Sequence, residues 1–152
     1  MTDRPSFQLH HGCISVADMD RSIEFYSTVL GFELESRIYV SGITSQIAFM
    51  ALGQDRIEII CHDDATPLPD FATDVVADFQ VIGTKHLSFG TAHPEQLHAY
   101  LLEHGVDDLT EIFDNNPTYS YFFFRDPDGI AIEVVSEKDD CTYRDVVEHA
   151  YP

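Results

Sequence analysis

A unit that occurs twice in one chain has to be a supersecondary piece that buries its apolar face against something else, so an internal repeat limits the fold more than any single motif. The first copy opens with His11-Gly-Cys-Ile-Ser-Val16, a strand whose alternation puts Ile14 and Val16 on one face and Cys13 with the ring of His11 on the other. A helix follows: Asp18 or Asp20 caps it, Ile23, Phe25, Tyr26 and Leu30 form its apolar stripe, and Gly31 ends it. Strands are expected over about residues 33–40, 45–52 and 56–61, with Gly53-Gln54-Asp55 as the last turn. The second copy opens with a strand from His86 to Gly90. A helix begins at Pro94, carries Leu97, Tyr100 and Leu101, and stops at Gly105. Strands then follow near 108–113, 120–124 and 129–135, with Asp126-Pro-Asp-Gly129 as the turn.

The register repeats as well. Forty-seven residues separate His11 from Glu58, and the same number separates His86 from Glu133. Each interval runs from a histidine of the first strand to a glutamate of the last, and Ile47-Ala-Phe49 matches Phe122-Phe-Phe124 at the same offset. The stretch GIAIEVV at 129–135 therefore poses a question: a carboxylate sits in an apolar strand. Glu133 lies either on a wet edge face or before a cation, because an unpaired buried charge is costly.

The expected class is α+β: two βαβββ modules in tandem, forming a cupped mixed sheet with a metal cleft. Neither module alone hides both faces of its sheet. One domain is expected over 7–137, with modules at 7–62 and 84–137 and a tail at 138–152. The linker at 63–83 is acidic and is expected to hold a short helix around 70–79. The arm before Ser6 is expected to fray, and the tail to form a small helix near 143–149.

Charge excludes some partners. Eight Lys and Arg stand against 27 Asp and Glu, a formal net charge of −19, which repels nucleic-acid phosphates and anionic membranes. A small-molecule substrate is the expected partner. The N-terminal MTDRPSFQLHHG has no long apolar run, so neither a leader nor a membrane span is expected. Three scattered cysteines, Cys13, Cys61 and Cys141, without CxxC spacing fit free thiols in a reducing compartment, the cytoplasm. Cys13 and Cys61 are read as small apolar fillers.

Two modules side by side carry His11, Glu58, His86 and Glu133 to a shared cleft. Two imidazoles and two carboxylates suit one borderline divalent ion, zinc, nickel, cobalt, manganese or iron, with water completing its shell. His10 is expected to face away from His11, and His62, His93, His98, His104 and His149 to be solvated. The Phe122-Phe-Phe124 run is core, or in part a wall for substrate. Arg125 meets either an anionic substrate or a surface carboxylate.

HGCISV at 11–16, DMDRSIEFY at 18–26 running to Leu30-Gly-Phe32, and DPDG at 126–129 leading to Glu133 resemble the marks of the vicinal oxygen chelate superfamily, which includes glyoxalase I, extradiol dioxygenases and drug-resistance proteins. The resemblance covers about 7–137. It implies paired βαβββ modules, a metal in the cleft and frequent homodimers. Glyoxalase I-like members place glutamate at both carboxylate positions, which implies a lyase or isomerase in which Glu133, with Glu58 second, removes a proton from carbon beside two chelated oxygens. Glutathione-using members tend to carry arginine and asparagine where this chain has Ser15 and His62. An Fe(II) dioxygenase using His11, His86 and Glu133 is the alternative, although Glu58 fills a place that oxygen needs. A binding protein without chemistry is the third reading.

Overall fold

The computed structural model describes residue 6 and residues 8–138. The expected N-terminal arm, the helix near 143–149, Cys141 and His149 lie outside them. The chain is α+β and contains two modules of the βαβββ plan, each with its own mixed sheet, the first of four strands and the second of three. Its compact units are Met1–Pro67 and Leu68–Pro152, so most of the linker belongs with the second module.

In the first unit, β1 (Gly12–Ser15) leads to α1 (Met19–Thr28), then to β2 (Glu33–Val40), β3 (Ser45–Leu52) and β4 (Asp55–His62). The strand order is β1-β4-β3-β2, with β1 parallel to β4 and the other pairs antiparallel. Asp18 is the cap of α1: its carboxylate accepts from the backbone N–H of Arg21. The buried line on α1 is Met19, Ser22 and Tyr26, one step round from the expected stripe, with Ile23, Phe25 and Leu30 only half-buried on its flanks. Ser22 tolerates this because its hydroxyl donates to the Asp18 carbonyl at 2.9 Å. Gly31 stops the helix at φ 77°, and the Phe32 N–H reaches back to the Tyr26 carbonyl.

In the second unit, a 3-10 turn (Asp70–Thr73) and a short α2 (Val75–Phe79) occupy the linker, where one short helix is expected. Then come β5 (Leu87–Gly90), α3 (Pro94–Glu103), β6 (Tyr119–Arg125) and β7 (Ala131–Glu137). The strand order is β5-β7-β6, with β5 parallel to β7. Gly105 repeats the role of Gly31 at φ 79°, with the Val106 N–H on the Leu101 carbonyl. The core includes Tyr26, Met50 and Ile59 in the first unit and Leu101, Phe122, Phe124, Ile132 and Val134 in the second.

The modules differ in two places. The strand expected over 108–113 does not form a ladder; only Leu109 and Phe113 bridge to β6. The Thr110 hydroxyl accepts the Phe123 N–H at 2.9 Å, replacing a main-chain carbonyl. Thr110 to Phe113 also spans one residue more than the facing Tyr121 to Phe123, so regular pairing breaks as at a β-bulge. The second difference is the last turn. Phe49 pairs with Glu58, but it is Phe123 rather than Phe124 that pairs with Glu133, because the DPDG turn is one residue longer. The Asp126 carboxylate accepts from the N–H groups of Asp128 and Ile130 and organises that turn. Phe122→Ala should lower unfolding free energy by about 3–5 kcal/mol in urea titration, since Phe122 is fully buried.

Candidate functional site

In each module the parallel pairing of first and last strand aligns a histidine with a glutamate. Register places Cys13 opposite Glu58 and Ser88 opposite Glu133, so the residue two before each partner is a histidine at the strand mouth. His11 Nε2 lies 3.3 Å from Glu58 Oε2, and His86 Nε2 lies 3.3 Å from Glu133 Oε2. All four side chains are partly exposed, at 18 to 30%. A phenyl ring meets each imidazole edge-on: Phe49 on His11 and Phe123 on His86, both at 5.4 Å between centroids. The duplication seen in the sequence is thus a duplication of geometry, one His–Glu pair in each module. Among the described residues, no group of three or more His, Cys, Asp and Glu side chains is gathered closely enough to hold a metal ion.

The neighbours of the two carboxylates differ. The Ser88 hydroxyl donates to Glu133 Oε2 at 2.8 Å. In the first module Cys13 takes that place, exposed rather than packed as an apolar filler, with its thiol hydrogen-bonded to Glu58. Desolvation, the bond to Glu58 and the charge of Glu58, in that order, raise the thiol to about 11. Cys61 is the filler expected, buried with its sulfur 3.5 Å from the Ala17 carbonyl. Sequence reasoning passed over Ser88, although it stands at the same offset from Cys13 as His86 does from His11.

Two histidines depart from expectation. His10 does not turn away, because residues 8–11 precede the strand and are free of its alternation; its Nδ1 lies 2.7 Å from His11 Nδ1. One ring donates and the other accepts, which leaves His11 Nε2 toward Glu58. His98 is not solvated: its Nε2 meets the Thr110 carbonyl at 2.9 Å and its ring lies edge-on to Phe122. His62, His93 and His104 are exposed as expected, and His62 is engaged by Thr44 and by the Asp64 N–H.

A cavity of about 560 Å³ opens beside the second pair, within the second unit, and its lining includes His86, Glu133, Phe79, Phe113, Tyr121 and Phe123. All three phenylalanines of the run are buried, Phe122 and Phe124 most deeply, and Phe123 and Phe124 also line the cavity. Arg125, read from sequence as meeting substrate or a carboxylate, is a structural strap. Its guanidinium donates to the carbonyls of Ala72, Thr73 and Gly129, and its Nε faces Asp108 at 3.4 Å. Arg125→Met should cost about 1–3 kcal/mol in urea unfolding, because it strands carbonyls that have lost their donor.

No helix among the described residues is long and apolar enough to cross a membrane. The family model described as Glyoxalase/Bleomycin resistance protein/Dioxygenase superfamily matches residues 8–134. An uncharacterized protein of Escherichia coli (strain K12), YaeR, is 30% identical over 131 residues, covering 86% of this chain and 96% of its own. The crystal structure of a glyoxalase family protein from Enterococcus faecalis is similar with TM-score 0.72 at 26% identity, over 84% of this chain and 96% of that one. The trypanothione-dependent glyoxalase I of Leishmania major shares the fold, with TM-score 0.65 at 24% identity over 86% of this chain and 87% of that one. The repeated module, its duplicated His–Glu register and a family match across most of the length lead to one conclusion: the chain belongs to the glyoxalase/bleomycin resistance protein/dioxygenase superfamily.

Proposed function

We propose that the protein is a metal-dependent lyase or isomerase of glyoxalase I type, with His11, Glu58, His86 and Glu133 as the ligand set of one divalent ion. The observation that carries this reading is the 3.3 Å separation of nitrogen and oxygen donors in both pairs. Two ligands about 2.1 Å from one ion, at tetrahedral or octahedral angles, stand roughly 3.0–3.4 Å apart. The donor set, imidazole nitrogen and carboxylate oxygen, suits zinc, nickel, cobalt, manganese or iron. Members of this family act on small molecules and often assemble as dimers, and a homodimer is the assembly proposed here.

When bound, the ion supplies Lewis-acid polarisation of two neighbouring substrate oxygens, which makes the adjacent C–H acidic. The chain supplies the base. Glu133 takes the proton from carbon and returns it to the neighbouring atom, with Glu58 as the second carboxylate. Ser88 and His86 both meet Oε2 of Glu133, so Oε1 is the oxygen left to receive the proton. Ser88 is thereby a positioning residue: its hydroxyl fixes the carboxylate rotamer. His10 plays the corresponding part for His11 through the Nδ1 contact.

Metal analysis of the purified protein should give one ion per chain, and chelation should abolish carbon–hydrogen exchange of α-hydroxy ketones or 2-oxo compounds followed by NMR in D₂O. Glu133→Gln should slow that exchange by about 10²–10⁴-fold with the thermal midpoint of the metal-free protein unchanged. A full rate in that variant overturns the assignment. Oxygen uptake on catechols by the iron form would make the protein a dioxygenase instead. Ser88→Ala should weaken metal affinity by about 10–100-fold, and Ser88→Thr should restore it.

A further inference from the structure

We infer that the cavity beside His86 and Glu133 takes a planar aromatic group borne by a neutral or cationic molecule, and in the metal-free protein rejects anions. The inference rests on the proposed function only for which oxygens react; the cavity stands on its own observations. Its volume, about 560 Å³, is that of a small-molecule site. Its walls are rings set in two orientations. Phe113 and Tyr121 stack with centroids 5.1 Å apart and planes 29° apart, while Phe123 meets Tyr121 edge-on at 84°. A flat ring laid against this corner gains a face contact and an edge contact together, the two geometries aromatic pairs prefer. Phe79 and Phe113 are 55% and 39% exposed, a large apolar exposure that packing of the fold does not use.

Charge decides the rest. Arg125 is the one Lys or Arg among the described lining residues, and its guanidinium is committed to three carbonyls and Asp108. Asp74, Asp108 and Glu133 contribute carboxylates to the same lining. In the metal-free protein an anionic ligand would enter an acidic chamber with no lysine or arginine released to meet it, whereas the ring faces attract positive charge.

Three probes separate these terms: 2-hydroxyacetophenone (neutral, with a ring), phenylglyoxylate (anionic, with a ring) and hydroxyacetone (neutral, no ring). Binding is measured calorimetrically on the full chain, both metal-loaded and chelator-treated. In the chelator-treated protein, 2-hydroxyacetophenone should bind about tenfold more tightly than either of the others, and Phe113→Ala should remove about fivefold of that affinity. Phe113 is partly exposed, so the variant should fold; Tyr121→Ala gives a second reading of the same wall. Equal or tighter binding of phenylglyoxylate, equal binding of hydroxyacetone, or unchanged affinity in both variants overturns the assignment. Ring preference without metal-dependent exchange upholds the cavity and sinks the proposed reaction. Exchange without ring preference does the reverse.

Discussion

The parallel pairing of the first strand of each module with its last is the constraint on which the rest depends. Parallel strands cannot be joined by a hairpin, so each module needs a helix and further strands between them. That connection fixes the long interval between histidine and glutamate. Register then does the chemical work. Cys13 faces Glu58 and Ser88 faces Glu133, and a histidine lies at the mouth of each pair, 3.3 Å from its carboxylate. A slip of one residue would send both glutamates to the core face among Ile57, Ile59, Ile132 and Val134. The burial of those neighbours is what prevents the slip.

Five cations among the described residues are committed to acids. Arg37, Arg56, Lys85, Arg125 and Lys138 are each paired with an acid of their own unit. Exposed pairs of this kind add little stability. Their consequence is chemical, because cations so committed are poor partners for an anionic substrate. Ser15 and His62 stand at the places where the resemblance leads to the expectation of arginine and asparagine in glutathione-using members, and His62 is held by Thr44 and the Asp64 N–H.

Much of the fold was legible because the elements obey local rules. Asp18 caps a helix, Pro94 starts one, and Gly31 and Gly105 end them in the left-handed region. Strands β2 and β3 fall where alternation and turn residues place them. Several of the misses depend on contacts that the local pattern does not mark. Thr110 breaks the strand expected over 108–113 by capturing the Phe123 N–H, and nothing local marks that hydroxyl as an acceptor. The longer DPDG turn moves Phe123 into the place of Phe49. His98 is claimed by Thr110 and Phe122, and Arg125 by carbonyls some fifty residues away.

The sequence by itself determined the repeat, most of the element order and the four residues to suspect, because periodicity, caps and spacing are properties of a chain read in one dimension. Tertiary structure alone decided which atoms meet: that each histidine offers Nε2 to its glutamate, that Ser88 grips one carboxylate while Cys13 faces the other, and that Phe123 rather than Phe124 stands over His86. Hydrogen bonds and ring contacts act over a few ångströms, and only the folded register brings residues this far apart in sequence within that reach.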